Sequence, residues 1–292
     1  MALNQMNQPS TRILSGQRDS VRQYANPVKM VRNLWSYREL IYQFTKREVL
    51  QRYKGSYLGI LWSFVTPLAL LLVYTFAFSV ILQARWQGST ENGHLVFALN
   101  LFAGLIPFTV FSETLSSTPR LVIKNTNYVT KVVFPLEILV VSKLGTSVID
   151  SLFGIVILLL GTLLILGSIP WTIVLLPLMY LPLIFLCLGL GWFFASLGVF
   201  IRDIGNFINV AIRMLFFLTP VFFPLSAVPP NIRFFLYLNP LTFIVNQFRR
   251  VTLWGQMPDW FEFLVLTACT LIVCLLGYIW FMKSKKTFAD VI

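Results

Sequence analysis

Ionisable side chains in this sequence mark the ends of long apolar runs, and a few lie inside them. Glu113, Lys143, Asp150 and Arg213 are within such runs or at their edges. A charge at membrane depth is costly, and it faces a protein interior, a water-filled path or a partner. Asp150 and Arg213 are the deepest and are opposite in sign. An ion pair, with each other or with other groups, is the first expectation, and a proton relay is the second. Glu113, Lys143 and Glu137 lie close enough to run ends to reach the interface along their stems. Other chemistry is missing from the sequence. It has no G-x-x-x-x-G-K-[ST] phosphate loop, no H-E-x-x-H and no G-x-S-x-G. His94 is the only histidine, and Cys187, Cys269 and Cys274 lie in apolar runs without metal-ligand spacing. The eleven acids are mostly isolated, so no cluster suits metal binding or proton transfer by an enzyme. The sequence predicts a chain that is not an enzyme and holds no metal or cofactor.

The elements that must position these groups are membrane helices. Charged residues make up 12% and hydrophobic ones 57%, against about 25% charged in ordinary soluble domains. A helix needs roughly 20 apolar residues to cross the bilayer core. Runs of that kind predict spans near 57–82, 95–115, 138–167, 171–201, 207–223 and 261–282, the fifth being short and carrying Arg213. The first run starts near Tyr57 and is too long for a signal-peptide core, so it is expected to be retained as a span. Ten Lys and Arg precede residue 56, and Arg120, Lys124, Lys131, Lys143, Arg202, Lys283, Lys285 and Lys286 fall on the same side. Only Arg85, Arg233, Arg249 and Arg250 fall on the other. The positive-inside rule then puts both termini in the cytoplasm and requires an even number of spans. The net charge of +12 reads as a topology signal with anionic-lipid contact, not as a nucleic-acid footprint. The expected fold is an all-α integral membrane protein with six transmembrane helices per protomer.

Around the 56–282 membrane domain the sequence predicts a flexible cytoplasmic tail over 1–35, an interfacial helix over 36–55 and a short tail over 283–292. Ser36 and Glu39 have capping-box spacing. Tyr37, Leu40, Ile41 and Phe44 fall on one helical face, followed by Lys46, Arg47, Arg52 and Lys54. Such a basic amphipathic helix lies along the membrane surface, either as an anchor or with a mechanical role. The longest inward loop, 119–136, mixes charge and aromatics and would suit docking. On the other side, 224–258 is apolar yet broken by Pro224, Pro229, Pro230 and Pro240. Its pieces are too short to span, which predicts a re-entrant helical hairpin or a structured external loop. Aromatics inside spans, among them Trp62, Tyr74, Phe78, Phe102, Phe111, Phe216 and Phe217, could stack on sugar rings or simply pack.

An ordered set of motifs carries a resemblance. Residues 39–48 read Glu-Leu-Ile-Tyr-Gln-Phe-Thr-Lys-Arg-Glu. They are followed by Arg52-Tyr53-Lys54-Gly55-Ser56-Tyr57-Leu58-Gly59-Ile60-Leu61-Trp62 and then Pro67. Further on come Lys131-Val132-Val133-Phe134-Pro135, Arg202-Asp203, Leu218-Thr219-Pro220-Val221, Leu238-Asn239-Pro240-Leu241 and Phe248-Arg249. From about 36 to 282 this resembles the membrane subunits of ABC-type polysaccharide exporters. Two departures are Leu136 before Glu137, where Arg is common in that family, and a longer N-terminal extension.

The resemblance implies a permease of six spans working as a homodimer in the bacterial cytoplasmic membrane, the inner membrane where there are two. It also implies two separate ATPase subunits, which carry ATP and Mg, and a glycan on a polyprenyl diphosphate lipid (O-antigen, capsule or teichoic acid). It assigns Tyr37, Arg47, Arg52 and Tyr53 to an interfacial gate helix where the lipid diphosphate enters. Lys131, Phe134 and Pro135 fall to the ATPase-coupling segment. Trp62, Tyr74, Phe78, Phe216 and Phe217 fall to a glycan channel, and Arg233, Asn239, Pro240 and Arg249 to an external gate. Two rivals stay open: an ABC-type exporter of a drug or lipid, and an ion-coupled secondary transporter.

Overall fold

Among the described residues the first helix is capped by Asn26, whose side-chain oxygen accepts the backbone N–H groups of Val28 at 2.9 Å and Lys29 at 3.4 Å. Pro27, which lacks an N–H, takes the first helical position. The computed structural model describes residues 26–54, 56–81, 83, 86, 93–130 and 134–292, and every regular element among them is helical. Helix α1 (Pro27–Ser36) therefore begins inside the segment expected to be a flexible tail. The expected capping box does not form. Ser36 closes α1 by donating its hydroxyl to the Asn33 carbonyl at 2.7 Å. Glu39 instead accepts from the Gln43 amide at 2.9 Å, within α2 (Arg38–Tyr53). The expected 36–55 helix is thus α2 alone, set off at Tyr37 from α1 before it.

The membrane helices follow in chain order. α3 (Trp62–Tyr74) carries Pro67 and is prolonged by a wide turn, Thr75–Ile81. α4 (Gly93–Ser117) runs on through short turns to Lys124. α5 (Glu137–Leu166) stops where Gly167 takes a left-handed φ of 74°. α6 (Leu176–Phe200) and α7 (Ile204–Leu218) come next. Two short helices, α8 (Pro230–Tyr237) and α9 (Pro240–Thr252), precede α10 (Trp260–Ser284).

Five stretches are long and apolar enough to cross a membrane: Gly59–Ile81, Gly93–Lys124, Glu137–Leu166, Trp171–Phe200 and Trp260–Val291. The fifth expected span, 207–223, is α7, and it has only 15 residues. At 1.5 Å per residue it reaches about 22 Å, short of the ~30 Å hydrocarbon core. Pro220 sets the stop, because it forces Thr219 before it into an extended conformation, φ −96° and ψ 136°.

Lipid tails are as apolar as leucine, so packing and polar contacts hold such helices together. α4 is the central element, with almost every side chain from Phe97 to Phe111 buried against α5, α6 and α9. α6 and α10 pack along each other most extensively. A Cβ on Gly277 would stand 2.0 Å from the Gly189 carbonyl oxygen, so only glycine permits this approach. By contrast, α3 and α7 keep open apolar faces, with Leu72 71% and Phe207 67% exposed.

Helix α1 and the residues just after α10 meet at Glu137, which is almost fully buried in the first turn of α5. Lys285 Nζ lies 2.7 Å from its carboxylate. The Asn33 amide of α1 donates to Glu137 at 3.2 Å and to the Tyr278 hydroxyl at 3.1 Å. The Trp192 indole N–H donates to the Glu137 carbonyl at 3.0 Å. A buried carboxylate at a helix N-terminus, paired and hydrogen-bonded, has its desolvation offset.

Candidate functional site

One face of α2 turns toward α5. The Thr45 hydroxyl donates to its own helix at Ile41 (2.8 Å) and reaches the Ser142 carbonyl (3.4 Å). The Thr146 hydroxyl donates to Glu48 at 3.1 Å. Ile41 and Phe44, two members of the expected membrane-facing stripe, are half-buried against protein, while Leu40 stays exposed. The stripe is therefore divided between two surroundings. Tyr37 is half-buried at the joint of α1 and α2, its N–H bonded to the Leu34 carbonyl. The side chain of Tyr53 lies outside the described residues.

At its other contact α2 meets the 121–136 loop through rings. Phe44 lies 5.6 Å from Tyr128 and 5.2 Å from Phe134, and Tyr128 and Phe134 stack at 4.6 Å. The Arg47 guanidinium covers the Phe44 ring at 4.4 Å and donates to the Tyr128 hydroxyl at 3.2 Å. Phe134, expected in the ATPase-coupling segment, is half-buried and ties the loop to α2 through Phe44. Pro135 is half-buried, its carbonyl accepting from Ile138 as α5 begins. Lys131 lies outside the described residues.

Arg52, two turns along α2, bridges two more helices. Its guanidinium donates to Asp150 of α5 and to Glu113 of α4, the latter at 3.3 Å. Asp150 thus pairs with Arg52 and not with Arg213, which is exposed on α7. The three charged groups edge a cavity of about 400 Å³. Its walls include Trp62, Pro67, Phe102 and Ile106, with Thr66 and Ser147 among its hydroxyls. Ser147 is buried and its hydroxyl has no hydrogen-bond partner among the described residues. The arrangement offers an apolar trough with polar groups at one end, chemistry suited to an amphipathic guest. Among the described residues, no group of three His, Cys, Asp or Glu could hold a metal ion.

Four of the five expected channel aromatics come together. Phe222 stacks on Phe78 at 4.3 Å and meets Tyr74 at 5.4 Å, Phe216 at 4.8 Å and Phe217 at 6.0 Å. Phe108 joins through Phe216 at 4.9 Å. The rings pack on one another, and Phe217 alone among the four is exposed. Trp62 stands apart, on the Arg52 cavity. The sequence reading missed Phe222, although it directly follows the Leu-Thr-Pro-Val motif.

At the opposite end of the bundle, α9 grips the turn that ends α7. The Asn239 amide donates to the Thr219 hydroxyl at 2.9 Å, while its oxygen caps α9 through Leu241. From the last turn of α9, Arg249 donates to the carbonyls of Pro220 (2.6 Å), Val221 (2.7 Å) and Asn100 (2.8 Å). Gly104 leaves room for it, since a Cβ there would meet Nη2 at 2.7 Å. Burial pushes the Arg249 guanidinium down to about 9, so it stays charged at neutral pH. Pro240 opens α9, and Arg233 is half-buried in α8, donating to the Val228 carbonyl at 2.8 Å. Trp86, Trp254 and Asn100 complete this end and were not singled out from sequence. Lone tryptophans in loops give no periodic signal.

Known proteins share this pattern. The chain is 28% identical over 267 residues to the O-antigen export system permease protein RfbA of Myxococcus xanthus, covering 90% of this chain and 99% of that protein. It is 26% identical to the protein of the same name from Klebsiella pneumoniae, over 91% of this chain and 99% of that one. The polysialic acid transport protein KpsM of Escherichia coli is 25% identical, over 79% of this chain and 88% of that one. Residues 39–253, from the start of α2 to just past α9, match the profile described as ABC-2 type transporter. With that match covering most of its length and its long apolar helices, this multi-pass membrane chain belongs to the ABC-2 type transporter family.

Proposed function

We propose that this chain is the permease subunit of an ATP-driven exporter that moves a lipid-linked polysaccharide, of the O-antigen, capsule or teichoic acid type, across the bacterial cytoplasmic membrane. Hydrolysis belongs to a separate ATPase pair that binds ATP and Mg; the missing phosphate loop fits that division. The relatives named for O-antigen and polysialic acid export, aligned over most of their own length, support the substrate class. In this reading α7 is the fifth of six spans, both termini are cytoplasmic, and α8 with α9 forms a re-entrant external hairpin. The open apolar faces of α3 and α7 take up a second copy.

The observation that carries the mechanism is the contact of Phe134 with Phe44. It couples the inward loop to α2, and α2 carries Arg52 at the cavity. Movement of the loop on nucleotide binding tilts α2 and draws Arg52 from Asp150 and Glu113. The freed guanidinium accepts diphosphate oxygens, for which its planar fork is suited. Ground and open states differ in which anions hold Arg52, so a ligand with its own anions shifts the population.

The test is reconstitution. The chain is co-expressed with an ATPase from its own operon, purified and placed in liposomes with a fluorescent polyprenyl diphosphate glycan. ATP-dependent translocation, lost without the ATPase, is the expected result. Translocation by the chain alone on an ion gradient sinks the proposal.

A further inference from the structure

Beside Arg249, Trp86, the turn after α7 and the residues from Asn246 to Gln256 line a cavity of about 500 Å³. Small-ligand pockets typically measure roughly 300–1,000 Å³. It is lined by two indoles, Trp86 and Trp254, two amides, Asn246 and Gln256, and the guanidinium of Arg249. Both indoles are held in place. Trp86 lies against the Arg249 guanidinium at 4.5 Å, and the Trp254 N–H donates to the Asn100 side chain at 3.0 Å.

Arg249 is 2% exposed, and no carboxylate among the described residues lies within 4.0 Å of it. Carbonyls take three of its five N–H donors. Among the described residues the charge has no counter-ion, and a buried charge without one is costly. The cavity beside it is the place where an anion can sit. Asn246 is half-buried and its amide makes no hydrogen bond among the described residues. Rigid indoles, planar amides and a cation together form a surface suited to a pyranose ring that bears a carboxylate. A lipid phosphate would leave the indole faces unused.

We propose that this cavity binds an acidic sugar residue, with the carboxylate beside Arg249, the ring against Trp254 and its hydroxyls on Asn246 and Gln256. The inference stands on the cavity and does not require the transport reading.

The experiment uses the full chain in nanodiscs, labelled with 5-fluorotryptophan. Substitutions W86F and W254F assign two of its eight tryptophan resonances. Sodium glucuronate is titrated against glucose, inorganic phosphate and sodium chloride. The expected result is a saturable glucuronate shift of the Trp254 resonance, at least tenfold weaker with glucose. It is reduced by Asn246→Ala while the other seven resonances stay in place; if that variant does not fold, Gln256→Ala serves on the exposed side. No saturable shift, or an equal response to glucose, overturns the proposal. An equal response to phosphate also overturns it, because a bare anion would then suffice.

Discussion

The Arg47 guanidinium lies 4.4 Å from the centre of the Phe44 ring and donates to Tyr128, whose own ring stacks on Phe134. Arg47 and Phe44 of α2 and Tyr128 and Phe134 of the segment before α5 are thereby parts of one cluster. Aromatic pairs contribute about 0.5–1.5 kcal/mol beyond their burial. A double-mutant cycle of Phe44→Leu and Phe134→Leu should give a coupling of about 1 kcal/mol in thermal unfolding. Additive effects would mean that loop and helix move independently.

Arg52 is shared by Asp150 and Glu113, and this separates two mechanisms. Arg52 is partly exposed, so loss of one partner should cost only about 1 kcal/mol, roughly fivefold in an equilibrium. Asp150→Asn should then leave ATP-driven transport within about that factor. Arg52→Gln should slow it far more, because it removes the group both states use. In an ion-coupled transporter the order reverses, with Asp150→Asn abolishing transport while leaving Arg52→Gln active. Transport assays of the two variants side by side decide between them.

Long uncharged runs made α4, α5, α6 and α10 legible, because a bilayer demands such runs whatever the fold. α7 was read too long, since its apolar run continues past Pro220 while its backbone cannot. α1 was missed because its main signal is a single cap, Asn26, in polar sequence. Asp150 and Arg213 matched in depth and sign, but depth does not say which helices are neighbours. The partner, Arg52, is 98 positions from Asp150, a contact that only packing determines. The motifs at Leu218-Thr219-Pro220-Val221, Leu238-Asn239-Pro240-Leu241 and Phe248-Arg249 were each visible. That they form one cluster, with Asn239 and Arg249 gripping the same turn, was not.

That cluster gives a third prediction. Asn239 does two tasks, capping α9 and donating to the buried Thr219. Capping substitutions cost about 0.5–2 kcal/mol, and a hydrogen bond about 1 kcal/mol net. Asn239→Ala should lose about 2 kcal/mol, whereas Asn239→Ser keeps the cap and should recover roughly half. Thr219→Val should lower stability in the parent and have little further effect in Asn239→Ala. Thermal unfolding of the parent and the four variants in one detergent measures this; full additivity would show that the two side chains do not act together.

Gly277 and Gly189 set the closeness of α6 and α10, and here size alone is at stake. A methyl group on Gly277 would meet the Gly189 carbonyl oxygen at 2.0 Å and its Cα at 2.8 Å. These are backbone atoms, so no rotamer change relieves the clash and one helix must move. Overpacking typically costs about 1–3 kcal/mol, and Gly277→Ala should reach the upper end. Gly167→Ala is the contrast: its Cβ would meet nothing within 4 Å, but its φ of 74° penalises a side chain by about 1 kcal/mol. The helix ends at Gly167 in either case, whereas α6 and α10 are held together through Gly277. Gly277→Ala should therefore unfold at lower temperature than Gly167→Ala and expose Cys274, buried one turn away on α10, to a maleimide reagent. Equal melting and no added labelling would mean that the two helices tolerate a wider spacing.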